Sequence, residues 1–248
     1  MFVRIVASTT LDYDALVHTG YASHISRRIE EEPEPVVNGE PSPEWKTWMR
    51  EYIPLDIDEL HEAAGRIWDH SASNTENREY LRASVIDAEH FQVLAHGHAT
   101  VYADGISRSL LHELRQPGIN LSVLSQRYLD ANKMGVVTPP LFTFAERTSL
   151  QEHFEMSLQR YSQAYDDLIK RGMTVPEARG AARAYLPEAT ETKILMTASI
   201  GTYRDIITKR ASDAADEEVR LFALALLRQL RRVCPNSVQD LVEELLDR

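Results

Sequence analysis

A helix expected from about Ser149 to Arg171, stopped by Gly172 and followed at once by a second start signal, is the strongest constraint this chain carries. Glycine readily takes the left-handed backbone that closes a helix. Thr174 and Glu177 then have the spacing of a capping box, in which each side chain satisfies an amide the helix cannot. Pro176 falls early in the new helix, where its missing N–H removes little. This second helix is expected to end near Leu186-Pro187.

The remaining patterns add strands around this helical frame. Phe2 to Ser8 alternates, with Val3, Ile5 and Ala7 on one side, and reads as a strand. His98 to Ala103 alternates again, and Asp104-Gly105 marks a turn. Helical patterns are expected over Asp58–His70, Asn77–Ala88, Ser107–Leu114, Leu221–Arg232 and Ser237–Leu246. Lys193 to Thr197 suits either a strand or part of a helix. Glu30 to Pro43, acidic and proline-rich, reads as a loop, and Ser42-Pro43-Glu44 as a helix start. Repeats are absent. The expected class is α+β, a mixed α/β protomer with long helices and a modest antiparallel or mixed sheet, over one domain spanning 1–248.

With 43% hydrophobic residues in 248, a substantial core is within reach. No run of about 18 apolar residues offers a membrane span, and the first residues do not resemble a secretion signal. Cys234 is the single cysteine, so no intrachain disulfide forms and a cysteine-based zinc cage is excluded. A cytoplasmic location is expected. The net charge of −11 argues against a wide basic face for nucleic acid or anionic membrane.

Local arginine clusters still suit a small anion. Three segments carry them: His112–Tyr128 (HELRQPGINLSVLSQRY), Arg179–Thr192 (RGAARAYLPEATET) and Tyr203–Ser212 (YRDIITKRAS). A guanidinium offers a planar fork of donors matched to phosphate, although a single helical arginine usually just faces solvent. His90, His96 and His98 form H-x5-H-x-H; without a nearby carboxylate or cysteine to complete a metal set, they read as core or ligand-lining residues. Cys234 has no activating base in view and reads as buried packing.

Taken in order, GISRSLLHELRQPGINLSVLSQRY, ARAYLPEATETKILMTASIGTYRDIITKRASDAADEEVR and the upstream EYLRASVIDAEHFQVLAHGHATVYADGISRS resemble the flavin-dependent thymidylate synthases (the ThyX family). The likeness runs from about Asp58 to Leu230. It implies a homotetramer with active sites shared between protomers. It also implies reductive methylation of dUMP to dTMP, with methylenetetrahydrofolate as carbon donor and FAD reduced by NADPH. Such chemistry belongs to the cofactor, and the protein supplies binding and electrostatics. No cysteine nucleophile is required.

By that resemblance, dUMP would be bound by Glu113, Leu114, Arg115, Val123, Leu124, Ser125, Gln126, Arg127, Arg183 and Arg210. Arg210 would be the catalytic residue. An arginine stays protonated, so its role is to stabilise negative charge on the pyrimidine ring. FAD would be held by Gln92, Arg115, Gln116, Pro117, Ser199, Ile200, Gly201 and Asp205. No metal is implied.

The chain departs from the family pattern at the motif that usually marks it. Arg115-Gln116-Pro117 stands where the family has Arg-His-Arg, and Asn120 replaces a serine. Val123 occupies a position that is usually Glu or Gln, Gln92 replaces Ser or Thr, Ser199 replaces Asn, and Asp205 stands where His or Asn contacts FAD. Two alternatives therefore stand beside thymidylate synthesis. One is a related flavoenzyme acting on another pyrimidine nucleotide such as dCMP. The other is a non-catalytic nucleotide-binding homologue.

Overall fold

The computed structural model describes residues 1–9, 36–37, 40–41, 57–69 and 75–246. In chain order these form strands β1 (Phe2–Ser8), β2 (Val36–Val37) and β3 (Glu40–Pro41), then helices α1 (Ile57–Asp69) and α2 (Asn77–Tyr80). Strand β4 (His98–Ser107), helix α3 (Arg108–Glu113) and strand β5 (Asn120–Val123) follow. Next come α4 (Phe144–Lys170), α5 (Val175–Ala182), β6 (Glu191–Ser199), α6 (Ile200–Arg210), α7 (Glu217–Leu230) and α8 (Gln239–Leu245). The expected α+β class holds.

Four strands make one sheet in the order β1-β4-β6-β5. β5 runs antiparallel to β6, pairing Asn120 with Thr197 and Val123 with Ile194. Alternation sets the faces: Thr192, Ile194, Met196 and Ala198 of β6 are buried, while Leu195 between them is exposed. Ala99, Val101 and Ala103 do the same for β4.

Several expected boundaries shift for physical reasons. The long helix starts at Phe144, earlier than Ser149, because Thr143 and Glu146 form a capping box of their own. It ends as expected: Gly172 takes φ +85°. The box at Thr174 is formed, with the Glu177 carboxylate accepting from the Thr174 N–H at 2.9 Å and its hydroxyl at 2.6 Å. The expected turn at Asp104-Gly105 lies inside β4: Gly105 takes φ +68° without ending the strand, and its N–H donates to the Asp104 carboxylate. The helix expected over Asn77–Ala88 runs from Asn77 to Ile86, widening into π-helical turns over Leu81–Ile86, and Asp87 and Ala88 lie in the turn that follows. Lys193–Thr197 is strand. The segment 30–43, expected as a loop, holds the two-residue antiparallel ladder of β2 and β3; the rest of it, and the start at Ser42, lie outside the described residues.

The chain divides into two compact units that interleave in sequence. One holds Met1–Arg4, Val101–Thr197 and Ile206–Leu226; the other holds Ile5–Thr100, Ala198–Asp205 and Leu227–Arg248. In the first, α4 packs on α5 around Ala131, Met134, Tyr161 and Ala182. In the second, Tyr80, Leu81, Val85, Val93 and Leu94 form an apolar cluster.

The second unit also carries a buried polar chain. Gly97 N–H donates to His61 Nε2 at 3.1 Å, and His61 Nδ1 meets Ser237 Oγ at 2.8 Å. The Ser237 hydroxyl donates to Asp58, which also accepts from the amides of Asn236 at 2.7 Å and Ser237 at 2.8 Å. Because Nε2 accepts, Nδ1 carries the ring proton, and the network is satisfied from end to end. A side chain at position 97 would place its Cβ 2.6 Å from both His61 and Ile57, so only glycine fits. Cys234 is buried and donates to the Leu230 carbonyl. Contrary to the core reading, His96 and His98 are exposed and His90 is half-buried.

Candidate functional site

The first unit gathers most of the candidate nucleotide residues around the short helix α3. Ser107 caps it, accepting from Leu110 N–H at 2.9 Å. Ser107 in turn gives its N–H (2.8 Å) and hydroxyl (2.6 Å) to the Glu218 carboxylate. The first turn docks on the ARAYLPEATET segment through Arg108 N–H to Thr190 carbonyl and Ser109 N–H to Glu188 carbonyl, each 3.2 Å.

That docking creates a cationic cluster. Arg108 is half-buried, and burial, with the charges of Arg183 and Arg115, pulls its guanidinium below the usual range; the Glu188 carboxylate opposes them. His112 lies 3.7 Å from Glu188. Arginines that disfavour one another in this way are stabilised by an anion placed among them. The sequence reading included Arg115 and Arg183 but missed Arg108, which looked like an ordinary helical arginine. Its signal was the serine before it: a helix N-cap fixes where the next side chain emerges.

At the other end of α3, Glu113 meets Arg210, the last residue of α6. Arg210 Nη1 is 2.9 Å from the Glu113 carboxylate, and Nη2 donates to the Glu113 carbonyl at 3.3 Å. Leu114 is buried, and Arg115 is exposed. Pro117 precedes Gly118, whose φ of +85° turns the chain into β5. That strand was not expected from the sequence. It carries Asn120 and Val123 against β6, and Leu124 N–H continues the pairing to the Lys193 carbonyl at 3.0 Å.

Ser125 then closes a tight turn: its hydroxyl accepts from Arg127 N–H at 3.3 Å, and its carbonyl accepts from Tyr128 and Leu129. Gln126 is buried and Arg127 exposed. The Arg127 side chain runs along Gly180 of α5, where a Cβ would meet its Cγ at 3.7 Å. Arg179 donates to the Tyr128 carbonyl at 2.6 Å and fixes the turn from the same helix.

The candidate flavin residues divide between the units. Arg115, Gln116 and Pro117 belong to the first; Gln92, Ser199, Ile200, Gly201 and Asp205 belong to the second. Within the second, Ser199 caps α6, its hydroxyl accepting from Thr202 N–H at 3.2 Å. Ile200 N–H donates to the Gly97 carbonyl at 2.9 Å. Gly201 lets α6 approach the turn that carries Gln92: a Cβ there would lie 3.4 Å from the Phe91 carbonyl oxygen and 3.7 Å from Leu94. Gln92 and Asp205 are exposed. Arg204, next to Asp205 in sequence, is buried, paired with Asp240 through two 2.7 Å contacts and stacked 5.1 Å from the Phe91 ring.

Comparison with known proteins shows the family. The family model described as thymidylate synthase complementing protein matches residues 52–236. The chain belongs to this family. It is 39% identical over 200 residues to a probable flavin-dependent thymidylate synthase of Mycobacterium phage D29, covering 75% of this chain and 84% of that one. It is also 39% identical over 175 residues to the flavin-dependent thymidylate synthase of Mycolicibacterium gilvum, covering 66% and 69%. Its fold is similar to that of ThyX from Helicobacter pylori, whose crystal structure contains FAD and dUMP. The TM-score is 0.55 at 22% identity, over 77% of this chain and 95% of that one.

The family match includes the segments that build α3, the Ser125–Tyr128 turn and Arg210. It also includes Arg115-Gln116-Pro117, the departure from the family's Arg-His-Arg. Among the described residues, no helix is long and apolar enough to cross a membrane, and no group of three or more His, Cys, Asp or Glu is placed to hold a metal ion.

Proposed function

We propose that this chain is a flavin-dependent thymidylate synthase that methylates dUMP to dTMP, using methylenetetrahydrofolate as carbon donor and NADPH as reductant of FAD. The observation that carries the assignment of roles is Arg210 held against Glu113 at the end of α3, a helix whose first turn, at Arg108 and Ser109, is bonded to the segment that follows Arg183, in a member of this family.

The arginine cluster supplies charge for the nucleotide phosphate, and Ser125 and Arg127, joined in the Ser125–Tyr128 turn, are the further phosphate and sugar contacts of this reading. Leu114, Val123, Leu124 and Gln126 form the less polar wall, with Val123 and Leu124 half-buried and Leu114 and Gln126 buried. Arg210 stabilises negative charge on the pyrimidine as its reacting carbon becomes nucleophilic, without taking a proton. Glu113 reaches this region through Arg210.

The donors at the proposed flavin positions suit a dinucleotide. The Gln92 and Gln116 side-chain amides and the capped start of α6 at Ser199, Ile200 and Gly201 offer hydrogen bonds, and Arg115 adds positive charge. Asp205 is the one opposing charge. When bound, the flavin supplies the reducing equivalents of the reaction. Pro117 has no amide to offer, so Gln116 and Arg115 carry what contact this stretch makes.

A homotetramer with shared sites is supported by the exposed apolar residues of the first unit. Leu141 is 79% exposed, Phe144 86% and Met156 56%, apolar surface that contact between protomers would cover. A single functional domain in the cytoplasm completes the reading. A second reading, methylation of another pyrimidine nucleotide such as dCMP, is favoured by Val123, whose apolar side chain replaces a hydrogen-bonding one. Complementation tests the proposal: expression should let a thymidylate-synthase-deficient, thymidine-requiring bacterium grow without thymidine. Failure to do so by well-expressed, folded protein would count for the dCMP or non-catalytic readings.

A further inference from the structure

We propose that Glu113 is a positioning residue that presets the plane of the Arg210 guanidinium before nucleotide arrives. The turnover arm of this inference rests on the function proposed above. The geometric arm does not.

Glu113 grips Arg210 twice, with its carboxylate at 2.9 Å from Nη1 and with its own backbone carbonyl at 3.3 Å from Nη2. The carbonyl is available because the last carbonyls of a helix lack intrahelical partners, and Glu113 is the last residue of α3. The same helix end carries partial negative charge, which suits a cation. A guanidinium has five N–H donors in one plane. Two contacts from one residue fix that plane and leave three donors on the remaining edges.

The pair is only partly covered, with side chains 37% and 42% exposed. A lone contact at such exposure holds a long side chain weakly; two contacts to one residue give the orientation. α3 is itself held at its start by Glu218 on Ser107. Arg210 and Glu218, eight positions apart in KRASDAADEEVR, thus fasten opposite ends of the same short helix. An arginine that acts chiefly on charge developing in the transition state gains from being in place beforehand. Glu113 therefore governs turnover more than affinity.

Two measurements test this. In 15N guanidinium NMR, with Arg210→Lys as assignment control, Arg210 should show separate, slowly exchanging Nη signals in the wild type. In Glu113→Ala these should collapse to the averaged pattern of a freely rotating group. An averaged pattern in the wild type overturns the proposal whatever the activity. In steady-state kinetics, Glu113→Ala should lower kcat roughly 10- to 100-fold while changing the dUMP Kd less than about threefold. Glu113→Gln, which keeps a side-chain acceptor oxygen beside the backbone carbonyl that both variants retain, should recover most of that loss. An unchanged kcat in Glu113→Ala, or a loss confined to Kd, overturns it. An inactive wild type would instead count against the proposed function and leave the NMR arm to decide.

Discussion

Glu218 takes both donors of Ser107, the backbone N–H at 2.8 Å and the hydroxyl at 2.6 Å, across 111 positions of sequence. Ser107 is nearly inaccessible, 3% exposed, and its oxygen also caps α3. Removing the carboxylate leaves a buried amide without its acceptor. Glu218→Ala should therefore lose about 2–4 kcal/mol of stability, and Ser107→Ala about 1–2 kcal/mol. The double variant should cost less than the sum, because both changes remove the bond from the Ser107 hydroxyl to the Glu218 carboxylate. Urea unfolding of the four proteins measures this; additive losses would show that the two residues act independently.

Arg108 should be a nucleotide-binding residue in its own right. Its guanidinium is pulled down by burial and by Arg183 and Arg115, and a phosphate relieves that repulsion. Arg108→Ala should weaken dUMP binding by roughly ten- to a hundredfold, the loss of a charge-assisted contact of about 1.5–3 kcal/mol. Arg108→Lys should recover part of it, since lysine keeps the charge and loses the fork. Titration calorimetry with dUMP checks this, and an unchanged Kd in Arg108→Ala would remove Arg108 from the site.

The His61 ring should make the protein acid-sensitive. Burial, helped by His96 and His98, lowers its pKa from 6.5 to about 3. Below pH 6.5 the unfolded chain binds a proton that the folded protein refuses, so stability present above 6.5 is lost as pH falls toward 3. By roughly pH 4.5 this one group costs up to about 3 kcal/mol. In His61→Gln, less stable at neutral pH, the further loss between roughly pH 7 and 4.5 should be smaller by that amount. Equal pH slopes for the two proteins would assign the acid sensitivity elsewhere.

Asp205 should weaken flavin affinity, because its charge opposes the dinucleotide phosphates. Exposure moderates the effect. Asp205→Asn should tighten FAD binding by about two- to fivefold, and the gain should shrink as salt is raised. Flavin fluorescence quenching at two ionic strengths measures it. Weaker binding in the variant would mean that Asp205 contributes a hydrogen bond the flavin needs.

The sequence made some of this plain and hid the rest, for reasons of range. Thr174, Glu177 and Gly172 act within one turn of helix, so their spacing predicted both the cap and the stop. The earlier start at Thr143 uses the same chemistry but lies before the strongest periodic stretch. Asn120–Val123 alternates, but over only four residues, too short to stand out as a strand without β6 to supply its partners. Arg115, Arg183 and Arg210 were readable from family-like segments. Arg108 and Glu218 were not, since their importance comes from contacts between segments about a hundred positions apart. Ser199 looked like a changed flavin contact, and in the fold its hydroxyl also caps α6.

The central claim is tested most directly by tritium release. The purified protein would be incubated with FAD, NADPH, methylenetetrahydrofolate and dUMP labelled at the reacting carbon. The account predicts tritium in water together with dTMP, dependent on each of the added components, and a large loss of both in Arg210→Ala. Folded protein that binds dUMP but releases no tritium and forms no dTMP in the complete mixture would contradict it.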